Sequence, residues 1–154
     1  MLLLDSSFLI AYHNTRDVHH AAAEGAMVRI VAGEWGRAAL LEYVFLEIVT
    51  VLLARRGRAV ASDVGATLLR AGDVDFIPCS DFFLDTLETF RHQPKRNLSF
   101  TDSAIVTVAL RNAPSFVATF DGNFRGIKGV SVVPRIAGAP NLRTSSSRQR
   151  PTGR

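Results

Sequence analysis

Four acidic residues in this chain are of a type that could form a metal site: Asp5, Glu47, Asp102 and Asp121. Carboxylate oxygens without His or Cys suit hard cations such as Mg²⁺ or Mn²⁺, which hold phosphate groups and activate water. Four such acids on separate elements therefore suggest hydrolysis of phosphodiester bonds, provided that the fold brings them together.

Three of the four acids also have a simple structural explanation. Asp5 is followed by two serines and can cap a helix. Asp121 precedes a glycine and can open a turn. Asp102 falls in the first turn of a predicted helix, where the helix dipole stabilises a negative charge. None of these three residues alone indicates a functional site.

Glu47 is different because residues 43–53 are apolar almost all round, which predicts that its carboxylate is largely buried. The residues three and four positions away offer no cation, so an ion pair within the helix is excluded. A metal ion or a distant cation must compensate the charge. Glu42 lies near the helix start on a nearly opposite face, and we assign it to capping or solvent.

Short apolar runs alternate with helical patterns along the chain. Strands are predicted at Leu2–Leu4, 37–40, Val74–Ile77, 116–119 and Val130–Val133. Helices are predicted after Asp5, at 18–31, at 42–55 with Gly57 as the stop, from Ser62 or Asp63 to 71, after Ser80, and at 101–111 with Thr101 as the cap.

Strands separated by helices predict an α/β fold with three layers, in which a central parallel sheet of four to five strands is covered by helices on both faces. In such sheets ligands bind beyond the carboxyl ends of the strands, at a switch in strand order. Asp5 and Asp121 both follow predicted strands and are expected at that edge.

The net charge of +4 is unevenly distributed. Residues 135–154 contain five arginines and no acid, which leaves 13 basic against 14 acidic residues in 1–134. We therefore predict one domain over 1–134 and a basic, disordered tail over 135–154. The tail could contact RNA or simply be a solvated terminus.

Other functional classes are disfavoured by the composition. The apolar runs are too short to span a bilayer as helices, and the first residues show no secretion signal, so a cytoplasmic protein is expected. Cys79 is the single cysteine, which excludes an internal disulfide and predicts a small buried side chain.

Four segments in this order and spacing resemble the PIN-domain family, in particular the VapC-type toxins of toxin–antitoxin pairs. The resemblance extends from residue 1 to about 134. The segments are LDSSFLI (4–10), YVFLE (43–47) with Leu52, LSFTDS (98–103) and TFDGNF (119–124).

The resemblance implies one-metal or two-metal nuclease chemistry, a homodimer, and an antitoxin that blocks the site. It assigns Asp5, Glu47, Asp102 and Asp121 to the metal site. Our hypothesis for the mechanism is that Asp5, Asp102 and Asp121 hold Mg²⁺ or Mn²⁺ while Glu47 orients the attacking water, which would give products with 5′-phosphates. The supporting residues that it implies are Thr101 or Ser99, Ser6, and Asn123. The last stands where many relatives have Asp, so it could coordinate through its carbonyl but adds no charge.

The sequence thus predicts a metal-dependent endoribonuclease, the toxin of a type II toxin–antitoxin pair. Two alternatives stay open: an RNA-processing nuclease without an antitoxin, and a non-catalytic RNA-binding module. Candidate contacts to the RNA backbone are Arg55, Arg56, Arg91, Lys95, Arg96 and Arg125.

Overall fold

Five parallel strands form the centre of the protein in a computed structural model that describes residues 1–93 and 97–135. The strands are β1 (Leu2–Leu4), β2 (Ala38–Leu41), β3 (Val74–Ile77), β4 (Ser115–Ala118) and β5 (Val130–Val133). Each lies within a residue of its predicted position. The predicted tail lies outside the described residues from position 136 onward.

Six α-helices connect the strands within the described residues. They are α1 (Ser6–His13), α2 (His20–Val31), α3 (Glu42–Arg56), α4 (Arg58–Arg70), α5 (Phe83–Arg91) and α6 (Phe100–Arg111). Single turns of 3-10 helix occupy Ser80–Phe82 and Gly122–Phe124. The parallel sheet with its helical layers confirms the predicted three-layer α/β/α fold.

The strand order is β3-β2-β1-β4-β5, which places β1 in the middle. Leu2 pairs with Ala38 of β2 on one side and with Phe116 of β4 on the other. The strand order therefore reverses at β1. The segment that follows β1 and the segment that follows β4 lie side by side at this switch point. All three residues of β1 are buried, as expected for an apolar run in a parallel sheet covered on both faces.

Helix α6 is the most deeply buried of the six helices in the described residues. All positions from Ser103 to Ala109 are buried, and the helix packs against β4. Because so much of α6 is fixed in the core, the residues of its first turn, including Asp102, have a defined position at the edge of the sheet.

Helix boundaries differ from the prediction where the cap residues were wrongly chosen. Helix α4 begins at Arg58, four residues before Ser62, because Gly57 both ends α3 and starts α4. Gly57 has a φ of 86°, a conformation that side chains with a Cβ rarely adopt. The chain can therefore turn from one helix into the next without a loop.

Two other predicted caps were also wrong. Helix α6 is capped by Ser99, whose side chain accepts a hydrogen bond from the backbone of Asp102, and Thr101 lies inside the first turn. Ser80 begins a 3-10 turn, and α5 starts three residues later without a side-chain cap. In the described part of the chain, no helix is both long and apolar enough to cross a membrane.

Candidate active site

Asp5 lies directly after β1 and is only 2% exposed. Its Oδ2 accepts hydrogen bonds from the hydroxyls of Ser7, at 2.6 Å, and Thr119, at 2.7 Å. Burial raises the pKa of Asp5, the two hydroxyls oppose that rise, and the negative charge of Asp102 adds to it. Asp5 is thus a buried carboxylate fixed by one hydroxyl from the first turn of α1 and one that follows β4.

Glu47 projects from α3 and is half-buried. Its Oε2 is buried and has no hydrogen-bond partner among the described residues. Burial raises the pKa of Glu47, and the charges of Asp5 and Asp102 raise it further, while the Ser6 side chain opposes the rise. Asp5, Glu47 and Asp102 are therefore close enough to repel one another.

Asp102 has a structural role beside its place in this group. Its Oδ2 accepts a hydrogen bond from the backbone N–H of Ser99 at 2.8 Å, and its own N–H donates to Ser99 Oγ at 3.0 Å. This reciprocal pair is a capping box at the start of α6. Asp102 thus has both the predicted favourable position in the first turn of α6 and a place near the other carboxylates.

Asp121 is connected to Asp5 through one intermediate residue. Its backbone N–H donates to Thr119 Oγ1 at 2.9 Å, and that hydroxyl donates to Asp5. The Asp121 carboxylate accepts hydrogen bonds from the backbone N–H and the side-chain amide of Asn123, at 2.8 and 3.3 Å. Asp102 contributes to the raised pKa values of Asp5 and Glu47, whereas Asp121 does not.

An open cleft of about 320 Å³ lies beside Glu47 between α3 and α6. Its lining comprises Tyr43, Leu46, Glu47, Thr50, Val51, Phe100 and Thr101. A larger cleft of about 480 Å³, with residues from α1, α2 and α4 in its wall, contains none of the four acids. Of the four acids, Glu47 lines the smaller cleft.

The donor set fits a hard cation in chemistry and charge. The charge of Asp102 raises the pKa values of Asp5 and Glu47, and Glu47 Oε2 is buried without a hydrogen-bond partner among the described residues. In residues 1–93 and 97–135, however, no three His, Cys, Asp or Glu side chains stand in an arrangement that would hold a metal ion. Direct ligation by all four acids would require side-chain rearrangement, beginning with Asp121 and its bonds to Asn123.

The sequence model of the PIN domain matches residues 2–130. The chain belongs to the PIN-domain family. No curated protein sequence matches this PIN domain.

Solved structures similar to this PIN domain include three from bacteria. VapC20 of Mycobacterium tuberculosis, described as a toxin that cleaves the sarcin–ricin loop, is 23% identical with a TM-score of 0.68 over 80% of this chain and 92% of that chain. A toxin–antitoxin complex from Klebsiella pneumoniae is 18% identical, with a TM-score of 0.59 over 85% and 96%. VapBC2 of Rickettsia felis, bound to a promoter DNA fragment, is 9% identical, with a TM-score of 0.60 over 85% and 96%. At these identities the similarity is one of fold.

Two hydroxyl residues of the PIN domain's site were not assigned a role from the sequence. Ser7 follows Asp5 by two positions, and Thr119 precedes Asp121 by two positions. Both residues lie within the segments that resemble the PIN-domain family. A hydroxyl residue two positions from an acid occurs in each segment, and this repeated spacing could have indicated their role. Their connection to each other, at 3.1 Å between hydroxyl oxygens, depends on the pairing of β1 with β4.

Other predicted residues have partners outside the group of acids. Glu42 is half-buried, and its Oε2 accepts the backbone N–H of the buried Cys79 at 3.0 Å, so Glu42 connects α3 to the loop after β3. Arg56 donates to Asn14 at 2.9 Å, and Arg91 pairs with Glu88. The candidate RNA contacts Lys95 and Arg96 lie outside the described residues.

Proposed function

We propose that this PIN domain is a divalent-metal-dependent endoribonuclease that hydrolyses RNA phosphodiester bonds as the toxin of a type II toxin–antitoxin pair. The observation that carries the proposal is the buried Oε2 of Glu47, which has no hydrogen-bond partner in residues 1–93 and 97–135 and lies near the like charges of Asp5 and Asp102. A buried carboxylate oxygen without a donor is costly. A bound cation is the simplest group that would offset both the missing partner and the repulsion.

Asp5, Asp102 and Asp121 would hold Mg²⁺ or Mn²⁺, with Glu47 at the same site. When bound, the ion would polarise a phosphate oxygen and lower the pKa of a coordinated water. Asp5 is kept in position by Ser7 and Thr119. Glu47, whose Oε2 has no hydrogen-bond partner among the described residues, would orient the attacking water. Attack at phosphorus with departure of the 3′-oxygen gives products with 5′-phosphates.

The partner proposal rests on relatives and on the surface. Two of the similar structures are toxin–antitoxin complexes, which supports a cognate antitoxin for this chain. Large apolar side chains are exposed on α3 and α5, which supports a homodimer. They are Leu46, Leu53, Phe83, Leu84 and Phe90.

The proposal is tested by incubating the purified full chain with single-stranded RNA in Mg²⁺, in Mn²⁺ and in excess chelator. Cleavage is expected only with metal, with 5′-phosphate ends on the products. Asp5→Asn should abolish it, because the change removes a ligand charge while adding almost no volume. Equal cleavage in chelator, or by the Asp5→Asn protein, would contradict the assigned site.

The two alternative functions, an RNA-processing nuclease and a non-catalytic RNA-binding module, predict different experimental results. A neighbouring reading frame that encodes a small DNA-binding protein, and inhibition of cleavage by that protein, would favour the toxin over an RNA-processing nuclease. Metal-independent RNA binding without any cleavage would instead indicate a non-catalytic module.

A further inference from the structure

Two stacked aromatic rings lie next to the acids. The rings of His19 and Phe120 are almost parallel, with centroids 4.4 Å apart and planes inclined by 8°. Phe120 also stacks on Phe8, at 6.0 Å and 25°, and Phe8 is fully buried. The imidazole of His19 therefore rests on an aromatic support that is anchored in the core.

This stack is connected to the candidate active site by two hydrogen bonds. The backbone N–H of Phe120 donates to Ser7 Oγ at 3.0 Å, and that hydroxyl donates to Asp5 Oδ2 at 2.6 Å. Phe120 also lies in the chain between Thr119 and Asp121. The position of the stack relative to the carboxylates is thus fixed.

The fold itself makes little use of the His19 side chain. His19 occupies the N-cap position of α2, yet its side chain makes no capping hydrogen bond. Among the residues that the structure describes, its imidazole takes part in no hydrogen bond or ion pair, and it is half-exposed. The adjacent His20 differs, because its Nδ1 lies 2.9 Å from the carbonyl of Ala11 and its Nε2 pairs with Glu24.

The loop that carries His19 has a defined position. The backbone N–H of His19 donates to Asp17 Oδ1 at 2.8 Å, and Arg56 from the end of α3 binds Asn14 at 2.9 Å. The His19 ring is supported by Phe120 on one face, held by an ordered loop, partly exposed and without a polar partner among the described residues, so it is suited to stack on another flat ring.

We propose that His19, supported by Phe120, is a stacking platform for one unpaired base of the RNA, in a nucleotide next to the scissile bond. Unpaired bases commonly stack on His, Phe, Tyr and Trp, and such stacking tolerates every base because each has a π-face. The platform would position the strand without reading its sequence. This inference rests on the proposed function, since it takes RNA as the substrate.

The test measures binding and does not require turnover. The full chain carries Asp5→Asn so that the RNA is not cut, and it is titrated with short single-stranded RNAs that carry 2-aminopurine at successive positions. Quenching of the 2-aminopurine fluorescence reports stacking. His19→Ala and His19→Leu, which lack a π-system, should each weaken binding about tenfold and remove quenching at one position. His19→Phe should retain both. His92→Ala is the matched control, because His92 is an exposed histidine at the end of α5.

An RNA with an abasic ribose at the quenched position should bind the parent as weakly as normal RNA binds His19→Ala. His19→Ala should not weaken the binding of this abasic RNA any further. Equal RNA binding by the Ala, Leu and Phe variants would overturn the platform. The platform would also be overturned if the His19 variants bound RNA normally and lost only their binding to a protein partner. If His19→Ala does not melt as a folded protein, the comparison of Leu with Phe still decides.

The proposed function can fail separately. A parent chain that binds RNA through His19 but cleaves none in Mg²⁺ or Mn²⁺ would refute the nuclease and support the platform. A parent chain that cleaves normally, with all His19 variants equal to it in binding and KM, would refute the platform alone. A parent chain that binds no RNA would refute both.

Discussion

The hydroxyl of Thr119 donates a hydrogen bond of 2.7 Å to Asp5 Oδ2, although the two residues are 114 positions apart in the chain. Thr119 Oγ1 also accepts a hydrogen bond from the backbone N–H of Asp121. One buried side chain therefore sets the orientation of the first acid and the position of the last.

Replacing Thr119 with Val keeps the shape of the side chain but removes both hydrogen bonds. We expect RNA cleavage to fall by about 10- to 100-fold, as is typical when a group that orients a metal ligand is lost. Thr119→Ser retains the hydroxyl and should stay within a few fold of the parent. Cleavage rates at saturating metal and RNA decide this, and equal rates for the Val variant and the parent would remove Thr119 from the site.

Glu47→Gln should make the metal-free protein more stable at neutral pH. The pKa of Glu47 is raised in the folded state, so its ionised form disfavours folding, and the stability held by the protonated form is lost as pH rises through the raised pKa. The variant should melt a few degrees higher than the parent in chelator at pH 7. That gain should vanish below the ordinary glutamate value of 4.5.

The matched control is Glu42→Gln on the same helix. Its Oε2 has a partner in the backbone of Cys79, so no gain in melting temperature is expected. Mg²⁺ or Mn²⁺ should raise the melting temperature of the parent in a concentration-dependent way and do less for Glu47→Gln, because the ion binds the folded state. A lower melting temperature for Glu47→Gln in chelator would show that repulsion is not the dominant effect.

The two roles of Asp102 can be separated by comparing two substitutions at the start of α6. Asp102→Asn removes the charge, but its side-chain oxygen can still accept the Ser99 N–H, so cleavage should fall by more than about 100-fold while the helix cap is retained. Ser99→Ala removes the cap acceptor and should cost about 1 kcal/mol of stability with cleavage nearly intact. The opposite result, activity lost only in Ser99→Ala, would make Asp102 a capping residue alone.

Deleting the residues after Gly138 should weaken RNA binding without altering cleavage at saturating RNA. The deleted segment contains four of the five arginines of the predicted tail. If all four contact phosphates, the slope of log Kd against log salt should decrease by up to about 3, since each contact to a single strand contributes roughly 0.7. An unchanged slope would show that the tail does not touch RNA.

The sheet was predictable because its strands are short, largely apolar segments that stop at a cap or turn residue, as where Asp5 follows Leu2–Leu4 and Pro134 follows Val130–Val133. Helix starts were less predictable, since several hydroxyl residues compete as caps within a few positions. At α6 the choice between Ser99 and Thr101 depends on which side chain reaches the N–H of Asp102, and that is a matter of backbone geometry.

The mutual proximity of Asp5, Glu47 and Asp102 agrees with the sequence prediction, while the assignment of the four acids to a metal site stays a prediction. The apolar setting of Glu47 indicated an uncompensated charge, and its buried Oε2 has no partner among the described residues. The hydrogen bonds from Asn123 to Asp121 were not predicted, because both residues were assigned to the metal site, whereas Asp121 opens the turn at Gly122–Phe124 as its Asp-Gly pair indicates. The stack of His19 on Phe120 joins residues from distant elements, and no local pattern indicates it.

The central position of β1 has a consequence for synthesis. During translation β1 emerges early, but it acquires its second neighbour only when β4, paired through Leu2 and Phe116, has left the ribosome. Until then Asp5 lacks the Thr119 hydroxyl and the backbone that follows it. A nascent chain shorter than this cannot bring Asp5, Thr119 and Asp121 together, so the candidate site is completed only when nearly the whole domain has been made.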